Sequence, residues 1–498
     1  MNRTKKFFYN SVTAAFSQIA IMIAGFITPR VILRAYGSEI NGLISSLAQF
    51  ISYFNLVEAG LSGAAIFALY KPLADEDHKA INGVVSAAKK FYTQSGFIFV
   101  FLTLGLSFLY PLFTQSQSIS KIEMFLLVLI LGVNGSLEFF TLSKYRVLLS
   151  ADQKTFVISL ASISHLIVNT GIIYFMAQLR ISIVILRLTA LLSIFLRSAI
   201  LMIYCRKNYP YLNYKEKCNT KALDKRWDAL YQQILGSIQS GAPVIFTTVF
   251  LGLKVVSIYT IYNMVIGSIN GILSIFISGL SAGFGDLIAR KETRTLQKAV
   301  KEFEFAYYSI LTVVYSVTMV CIMPFIKLYT SGVNDINYNV PLFGVLFVLN
   351  GLFYNIKTPQ SMLIISAGMY KETRIRATVT GAIIILFGII LTPILGLPGI
   401  MLASILSNLY RTIDLLHFTP KYITKLNKTE SAFSMLRVII CFLIIVFIFS
   451  FVNFPINNYM QWVMYAILAG VVSVTITGIM GYIFNRNEIK SLLKRFGL

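Results

Sequence analysis

The sequence predicts an all-α membrane protein with about fourteen transmembrane helices. Of its 498 residues, 56% are hydrophobic and 13% are charged, and the mean hydropathy is +0.74. A soluble chain carries about 25% charged residues. The apolar residues here form runs of about 18 to 25, the length that crosses roughly 30 Å of hydrocarbon. Because backbone groups in lipid must be hydrogen-bonded within their own segment, these runs are expected to be helices.

The predicted spans are separated by connections that alternate between long basic loops and very short ones. The connections at 178–181 and 395–398 are short enough to be tight hairpins. Such alternation is expected when consecutive helices cross the bilayer and one side retains the basic loops. The predicted spans are 10–33, 39–69, 93–113, 122–148, 155–178, 182–204, 229–252, 256–284, 303–326, 340–367, 375–395, 398–418, 435–453 and 460–484.

The distribution of basic residues predicts that both termini are cytoplasmic. With the N-terminus inside, the cytoplasmic loops, the termini and the adjacent helix ends hold 34 Lys and Arg, whereas the external ones hold six. Lys and Arg are enriched in the cytoplasmic loops of membrane proteins. This enrichment accounts for the net charge of +23, which on a soluble chain would indicate nucleic acid. We therefore expect no nucleic-acid partner.

Two local matches indicate an internal repeat. Gly60-Leu61-Ser62 recurs as Gly279-Leu280-Ser281, an offset of 219, and Leu149-Ser150-Ala151 resembles Ile365-Ser366-Ala367, an offset of 216. Six helices per repeat would give two lobes in the same orientation, related by an axis along the membrane normal. The predicted segments are a six-helix lobe at 1–205, a basic cytoplasmic linker at 206–228, a second six-helix lobe at 229–420, two extra helices at 435–484 and an amphipathic cytoplasmic tail at 485–498.

Motifs for catalysis and cofactor binding are absent from the sequence. It contains no nucleotide-binding P-loop, no His-Glu-x-x-His and no Gly-x-Ser-x-Gly, and it has only three histidines. We therefore predict that the chain is not an enzyme and carries neither a cofactor nor a metal. The four cysteines show no paired spacing that would indicate disulfides or zinc. They are Cys205, Cys218, Cys321 and Cys441.

Ionisable residues inside the predicted spans, or at their ends, are the candidate functional residues. A charge at the bilayer centre costs roughly 2.5–3.5 kcal/mol on insertion scales, so it usually faces a cavity or a partner. Residues near span ends have the alternative of extending to the lipid headgroups. The candidates for ion coupling or charge pairing are Glu58, Glu138 and His165, although His165 also suits a packing role. The candidates for a substrate cavity are Arg30, Arg34, Arg146, Arg197 and Lys357.

The excess of cations among these candidates predicts an anionic cargo. The guanidinium fork of Arg matches phosphate geometry, and Lys supplies a point charge. A lipid-linked oligosaccharide carries a pyrophosphate between a prenyl tail and a sugar, and moving it requires a hydrophilic cationic cavity between two lobes. Pro29, Pro243 and Pro359 lie within predicted spans and are candidate hinges that would shape such a cavity.

The segment that joins predicted spans 1 and 2 carries a residue pattern that is also found in a known protein family. It reads Pro29-Arg30-Val31-Ile32-Leu33-Arg34-Ala35-Tyr36-Gly37-Ser38-Glu39-Ile40-Asn41-Gly42, followed by Gly60-Leu61. A late proline, an arginine, a glycine-acid turn, a second glycine and a Gly-Leu pair resemble the opening of bacterial polysaccharide and O-antigen flippases. These flippases belong to the multidrug/oligosaccharidyl-lipid/polysaccharide exporter superfamily. Together with the helix plan, the resemblance covers essentially the whole chain.

The resemblance implies alternating access and the transfer of an undecaprenyl-pyrophosphate-linked repeat unit to the outer leaflet. It further implies a multi-pass location in a bacterial inner membrane. The implied partners are the lipid-linked oligosaccharide, membrane lipids and the polysaccharide polymerase machinery. Arg34, Gly37 and Gly42 fall on the motif, while Tyr36 departs from the leucine that the family more often has.

Three other functions remain as alternatives. A peptidoglycan-precursor lipid flippase would share the fourteen-span plan and a lipid-pyrophosphate cargo. A cation-coupled multidrug exporter of the same superfamily would use acidic sites such as Glu58 and Glu138, but such exporters usually stop at twelve helices. A polysaccharide polymerase or ligase would need a large external loop, and the longest predicted external stretch is 327–339.

Overall fold

Helices make up the regular structure of the chain. The computed structural model describes residues 3–58, 60–214, 216, 226–278, 280–452 and 454–495, and every regular element within these ranges is helical. By its internal contacts the chain divides into two compact units, Met1–Thr260 (unit 1) and Ile261–Leu498 (unit 2). The prediction of an all-α membrane protein is therefore confirmed. The lobe boundaries and the orientation of the termini stay predictions.

Unit 1 contains nine complete helices among its described residues, together with the start of a tenth. A 3-10 turn at Asn55–Glu58 separates the first two helices, and a π-helical turn at Thr247–Leu251 follows the ninth. The helices are α1 (Arg3–Phe54), α2 (Leu61–Ala74), α3 (His78–Phe113), α4 (Lys121–Thr141), α5 (Ser143–Ala151), α6 (Thr155–Gln178), α7 (Ile183–Ala190), α8 (Leu192–Asn208), α9 (Arg226–Phe246) and α10 (Leu253–Ser278).

Unit 2 begins within α10 and contains nine further helices among its described residues. A π-helical turn at Pro420–Thr424 precedes the last three of them. These helices are α11 (Ser281–Ala289), α12 (Thr293–Tyr329), α13 (Pro341–Ile356), α14 (Thr358–Ala367), α15 (Tyr370–Leu395), α16 (Leu397–Thr419), α17 (Lys428–Ser450), α18 (Tyr459–Phe484) and α19 (Arg486–Arg495).

Eleven helical stretches of the described chain are long and apolar enough to cross a membrane. The first, Lys5–Ala74, covers predicted spans 1 and 2 in one run. Predicted span 340–367 is not among the eleven because it is divided into α13, of 16 residues, and α14, of 10. Predicted span 398–418 is helical as α16 but is also not among them. Three predicted spans account for the difference from fourteen: spans 1 and 2 form one stretch, and spans 340–367 and 398–418 are not among the eleven.

Two glycines shape the junction of predicted spans 1 and 2. Gly37 has φ 82° and ψ 178°, a conformation that essentially only glycine adopts, and it divides α1. Gly42 lies so close to α10 that a Cβ atom there would be 1.8 Å from the carbonyl oxygen of Leu253. Glycine at position 42 thus permits backbone contact between α1 and α10, whereas Pro29 lies inside the first part of α1.

The matched sequence segments occupy similar places in the two units. In unit 1, α2 packs on α5, and in unit 2, α11 packs on α14. The second pair is joined by a hydrogen bond between the hydroxyls of Ser281 and Ser366, 3.1 Å apart. Gly60 starts α2 with φ 77°, while its repeat partner Gly279 lies outside the described residues. Both pairs bring together the helices that carry the two sequence matches, and the six-helix repeat itself stays a prediction.

The predicted linker and tail are described only in part. Within 206–228 the structure describes 206–214, 216 and 226–228, so that α8 reaches Asn208 and α9 begins at Arg226. The tail forms α19, and residues 496–498 lie outside the described part of the chain. Of the four cysteines, Cys218 lies outside it as well, and Cys205, Cys321 and Cys441 are buried free thiols.

Candidate functional site

One carboxylate in unit 1 pairs with two of the cationic residues that were predicted to line a substrate cavity. Glu138, near the end of α4, accepts a hydrogen bond from Arg197 on α8, with 2.8 Å between Nη1 and Oε1. Its other oxygen lies 3.6 Å from Nη1 of Arg146 on α5. The side chains of Arg197, Arg146 and Glu138 are 13%, 41% and 37% exposed. Two guanidinium groups against one carboxylate leave this trio with a net positive charge.

A helix break places Arg146 beside Glu138. The two residues would lie about 12 Å apart along the axis of a continuous helix. Instead, α4 ends at Thr141 and α5 begins at Ser143, whose hydroxyl donates to the carbonyl oxygen of Glu138 at 3.1 Å. Leu142 at the junction has φ −105° and ψ −40°, and the long Arg146 side chain reaches back to the carboxylate.

Aromatic packing fixes α4 on α3 next to this carboxylate. The Phe139 ring lies 5.3 Å from that of Phe99 on α3, which in turn lies 5.5 Å from the ring of Phe54. Gly135 makes room for this contact, since a Cβ atom there would be 2.5 Å from the Phe99 ring. Glu138 is therefore carried on a rigidly packed part of α4.

Two further predicted residues border the trio. Glu58 ends the 3-10 turn before α2 and interacts electrostatically with Arg146 and Glu138. His165 on α6 interacts with Arg197 and Glu138, and its Nδ1 is buried without a hydrogen-bond partner in the described structure. We call Glu58, Glu138, Arg146, His165 and Arg197 the unit 1 cluster. It carries two cations, two acids and one imidazole.

The two arginines of the opening motif lie elsewhere on α1. Arg34 is exposed and Arg30 is half-buried, and their spacing of four residues places them on one face of the helix. No ion pair joins Arg34 to the unit 1 cluster among the described residues. Their predicted role in binding substrate stays a prediction.

Lys357 is a buried cation of unit 2 and was predicted from the sequence to line a substrate cavity. It lies between α13 and α14 and is 6% exposed. Its ammonium donates to Oδ1 of Asn408 at 2.6 Å and lies 4.7 Å from the centre of the Tyr354 ring. Asn408 donates in turn to Asn350 at 2.9 Å. Within the described part of the chain, no carboxylate forms an ion pair with Lys357.

Prolines accompany two of the helix breaks. Pro359 lies in the first turn of α14, where a missing N–H costs no hydrogen bond, two residues after Lys357. Pro243 lies within α9, and its carbonyl oxygen accepts from the Thr247 hydroxyl at 2.7 Å where the π-helical turn begins. Both prolines thus stand where the helix geometry changes.

Sequence analysis missed a second charged group close to Lys357. On α16, Arg411 donates to Asp414 at 2.7 Å, and Arg376 on α15 pairs with the same carboxylate. Lys357 interacts electrostatically with Arg411. The spacing of three residues between Arg411 and Asp414, inside an apolar helix, was the signal for this pair.

Sequence analysis also missed the buried carboxylate of Glu304. This residue on α12 is 4% exposed and accepts from Gln360 at 2.7 Å and from Ser431 at 3.0 Å. An acidic residue at the start of an apolar run could have identified it. Its neutral partners tie α12 to α14 and α17.

Amides and phenols form a buried network in unit 2. Asn355 donates to Asn270 at 2.7 Å and to the hydroxyl of Tyr315 at 2.8 Å, and it accepts from Tyr307 at 3.3 Å. These groups are of the type that hydrogen-bonds sugars. The described residues contain no group of three His, Cys, Asp or Glu side chains placed to hold a metal ion.

The fold is shared with solved transporter structures. The lipid II flippase MurJ in an inward closed conformation matches with a TM-score of 0.72 and 15% identity, over 96% of this chain and 99% of that chain. An inward-facing multidrug resistance MATE family transporter of the MOP superfamily matches with a TM-score of 0.62 and 13% identity, over 86% and 98%. The MATE multidrug transporter DinF-BH matches with a TM-score of 0.63 and 14% identity, over 86% and 98%.

These likenesses establish the fold. The chain has the helical architecture of the lipid II flippase and the MATE transporters, as the resemblance of its opening motif implies. The two MATE structures are matched almost completely yet leave about 14% of this chain without a counterpart. No protein-family model matches the chain, and no curated protein matches its sequence.

Proposed function

We propose that this chain is a flippase that moves an undecaprenyl-pyrophosphate-linked oligosaccharide from the cytoplasmic to the outer leaflet of a bacterial inner membrane by alternating access. The observation that carries the proposal is the fold shared with a lipid II flippase over 96% of the chain. The opening motif, which resembles polysaccharide flippases, directs the cargo toward a polysaccharide repeat unit.

The buried cations support an anionic cargo. Arg197 is 13% exposed and Lys357 is 6% exposed, and Lys357 has only neutral hydrogen-bond partners in the described structure. A buried cation without a counter-charge is costly, and a phosphate oxygen would provide one. In unit 1 a phosphate would compete with Glu138 for the guanidinium groups of Arg146 and Arg197. That competition would allow the cargo to be bound and then released.

A peptidoglycan-precursor lipid flippase is the second candidate, because the lipid II flippase structure matches nearly the whole length of both chains. Both cargoes carry a pyrophosphate that the buried cations would bind, so only the sugar distinguishes them. A cation-coupled multidrug exporter is less well supported, since Glu138 is already paired with two arginines.

Flipping of defined cargoes in proteoliposomes tests the proposal. The purified chain is reconstituted with an undecaprenyl-pyrophosphate oligosaccharide, with lipid II, or with a cationic dye. Sugar exposed on the outer surface is read with a membrane-impermeant oxidant. Faster flipping of the oligosaccharide lipid supports the first candidate, and faster flipping of lipid II supports the second. Transport of the dye alone would overturn both.

A further inference from the structure

A cavity of about 600 Å³ lies in unit 2, where α12, α17, α18 and α19 meet. It is separate from Lys357 and from the charged group around Asp414, neither of which lines it. Its polar lining residues come from α12, from α19, from the first turns of α17 and from Asn485 between α18 and α19. Its apolar lining residues come mainly from α17 and α18. This arrangement is suited to an amphipathic ligand.

Arg437 is the buried cation of this lining. Its side chain is 7% exposed, Nη1 donates to Asn485, and its guanidinium carbon lies 4.9 Å from the centre of the Phe305 ring. Nη2 has no hydrogen-bond partner in the described structure. A guanidinium does not lose its charge in a protein, and a buried unmatched donor on a charged group costs free energy. An acceptor oxygen from a ligand would satisfy it.

The cavity that Arg437 lines also contains carboxylates. Glu488 on α19 lines the cavity, interacts electrostatically with Arg437 and forms no ion pair among the described residues. Lys301 pairs with Glu430 at 2.5 Å, so these two charges are already balanced. Glu304 also lines the cavity, held by its neutral partners. A purely anionic ligand would meet these carboxylates, whereas a ligand carrying both a phosphate and an ammonium matches both signs.

The apolar lining residues of α17 follow one face of that helix. Phe433, Leu436 and Ile440 are spaced by three and four residues and therefore lie on the same side of the helix. Phe433 is 70% exposed, and Phe484 at the end of α18 is 66% exposed. Both helices are long and apolar enough to cross a membrane, so this exposed stripe is available to hydrocarbon chains.

We propose that this cavity binds a glycerophospholipid whose headgroup carries a phosphate and a primary ammonium. The phosphate accepts from Arg437, the ammonium faces Glu488, and the acyl chains lie along Phe433, Ile440 and Phe484. The start of α17 and the end of α18, which line the cavity, are predicted to be cytoplasmic, which places the site at headgroup depth. The site is independent of the cargo that the chain transports.

Native mass spectrometry of the detergent-purified full chain tests the site. The chain is mixed with equal amounts of phosphatidylethanolamine and phosphatidylglycerol, and retained lipid is counted. We expect wild-type protein to retain phosphatidylethanolamine preferentially. Arg437→Gln should weaken retention of both lipids about tenfold, the loss of one charge-assisted hydrogen bond. Glu488→Gln should abolish the preference for phosphatidylethanolamine, because it removes the partner of the ammonium and also the repulsion that opposes phosphatidylglycerol.

The matched control is Arg486→Gln, because Arg486 lies over the Tyr482 ring at the same helix junction but does not line the cavity. Arg437→Lys, which keeps the charge, should retain part of the binding if Arg437→Gln fails to fold. Equal retention by all variants would show lipid bound only at the general surface and would overturn the proposal. Equal retention of the two lipids by wild-type protein would also overturn it. So would soluble phosphoethanolamine that stabilises the wild-type chain as strongly as phosphatidylethanolamine does.

Discussion

Arg197 Nη1 lies 2.8 Å from Oε1 of Glu138, and this ion pair joins α8 to α4 within unit 1. The partners are 59 residues apart in sequence. Arg146 reaches the second oxygen of the same carboxylate, so removing Glu138 would leave two guanidinium groups without their anion. Removing either arginine would leave the other still paired. Glu138 is therefore the residue on which the cluster depends.

Glu138→Gln is expected to lower the free energy of unfolding by about 1 to 3 kcal/mol, between the values for exposed and buried pairs. Thermal unfolding in detergent measures the loss. Combining it with Arg197→Gln in a double-mutant cycle should show that the two effects are not additive. Glu372→Gln, at an exposed position on α15, is the control and should be near neutral. Additive losses in the cycle would show that the pair contributes nothing.

Lys357→Ala is expected to abolish flipping of the oligosaccharide lipid while leaving the protein at normal levels in the membrane. The buried ammonium has only neutral hydrogen-bond partners in the described structure, and Asn408 keeps its bond to Asn350 when the lysine is removed. The fold therefore gains little from the charge that we propose the cargo binds. Lys327→Ala, at an exposed position on α12, should flip normally. Normal flipping by Lys357→Ala would show that the anionic cargo does not bind at this lysine of unit 2.

Gly42→Ala is expected to prevent correct folding. The added Cβ atom would lie 1.8 Å from the backbone oxygen of Leu253, and a backbone atom cannot move aside as a flexible side chain can. Gly25→Ala on the same helix meets nothing within 4 Å and should be neutral or stabilising by about 0.5 kcal/mol. Yield of monodisperse protein after detergent extraction compares the two variants. Equal yields would contradict the close approach of α1 to α10.

The all-helical fold was predictable because hydropathy reports directly on long lipid-facing segments. The glycine turn at Gly37 was also readable, since few other residues adopt its backbone conformation. The division at Lys357 was predictable only as a candidate hinge at Pro359, because the two halves together look like one apolar run. Periodicity gives no information on where a helix bends when both halves are equally hydrophobic.

The candidate site was predictable only as a set of separate charges. Sequence analysis identified Glu138, Arg146 and Arg197 from the cost of burying charge in lipid. It could not pair them, because their contact depends on how α4, α5 and α8 pack. Arg411 and Asp414 were missed since a charged pair near a span end resembles headgroup contacts. Glu304 was missed because it lies at the first residues of a predicted span.

The stability of unit 1 at acid pH should depend on whether the carboxylate of Asp152 is ionised. It lies in the turn between α5 and α6, outside the membrane-crossing segments, where burial opposes its ionisation. Hydrogen bonds from Lys154, Lys6 and Tyr209 outweigh burial and lower the pKa of Asp152. The contacts are short, at 2.7 Å from Lys6 and 2.6 Å from the Tyr209 hydroxyl.

A carboxyl whose pKa is lower in the folded state stabilises the fold above its unfolded pKa of about 3.9, and this stabilisation is lost as the pH falls through the folded value. Asp152→Asn should therefore unfold at a lower temperature than wild-type protein at pH 7, and the difference should shrink below about pH 4. Asp286→Asn is the control, because Asp286 and its partner Arg290 are 56% and 65% exposed and contribute little. A difference between Asp152→Asn and wild-type protein that stays constant from pH 7 to pH 3 would show that Asp152 acts through packing instead of through its charge.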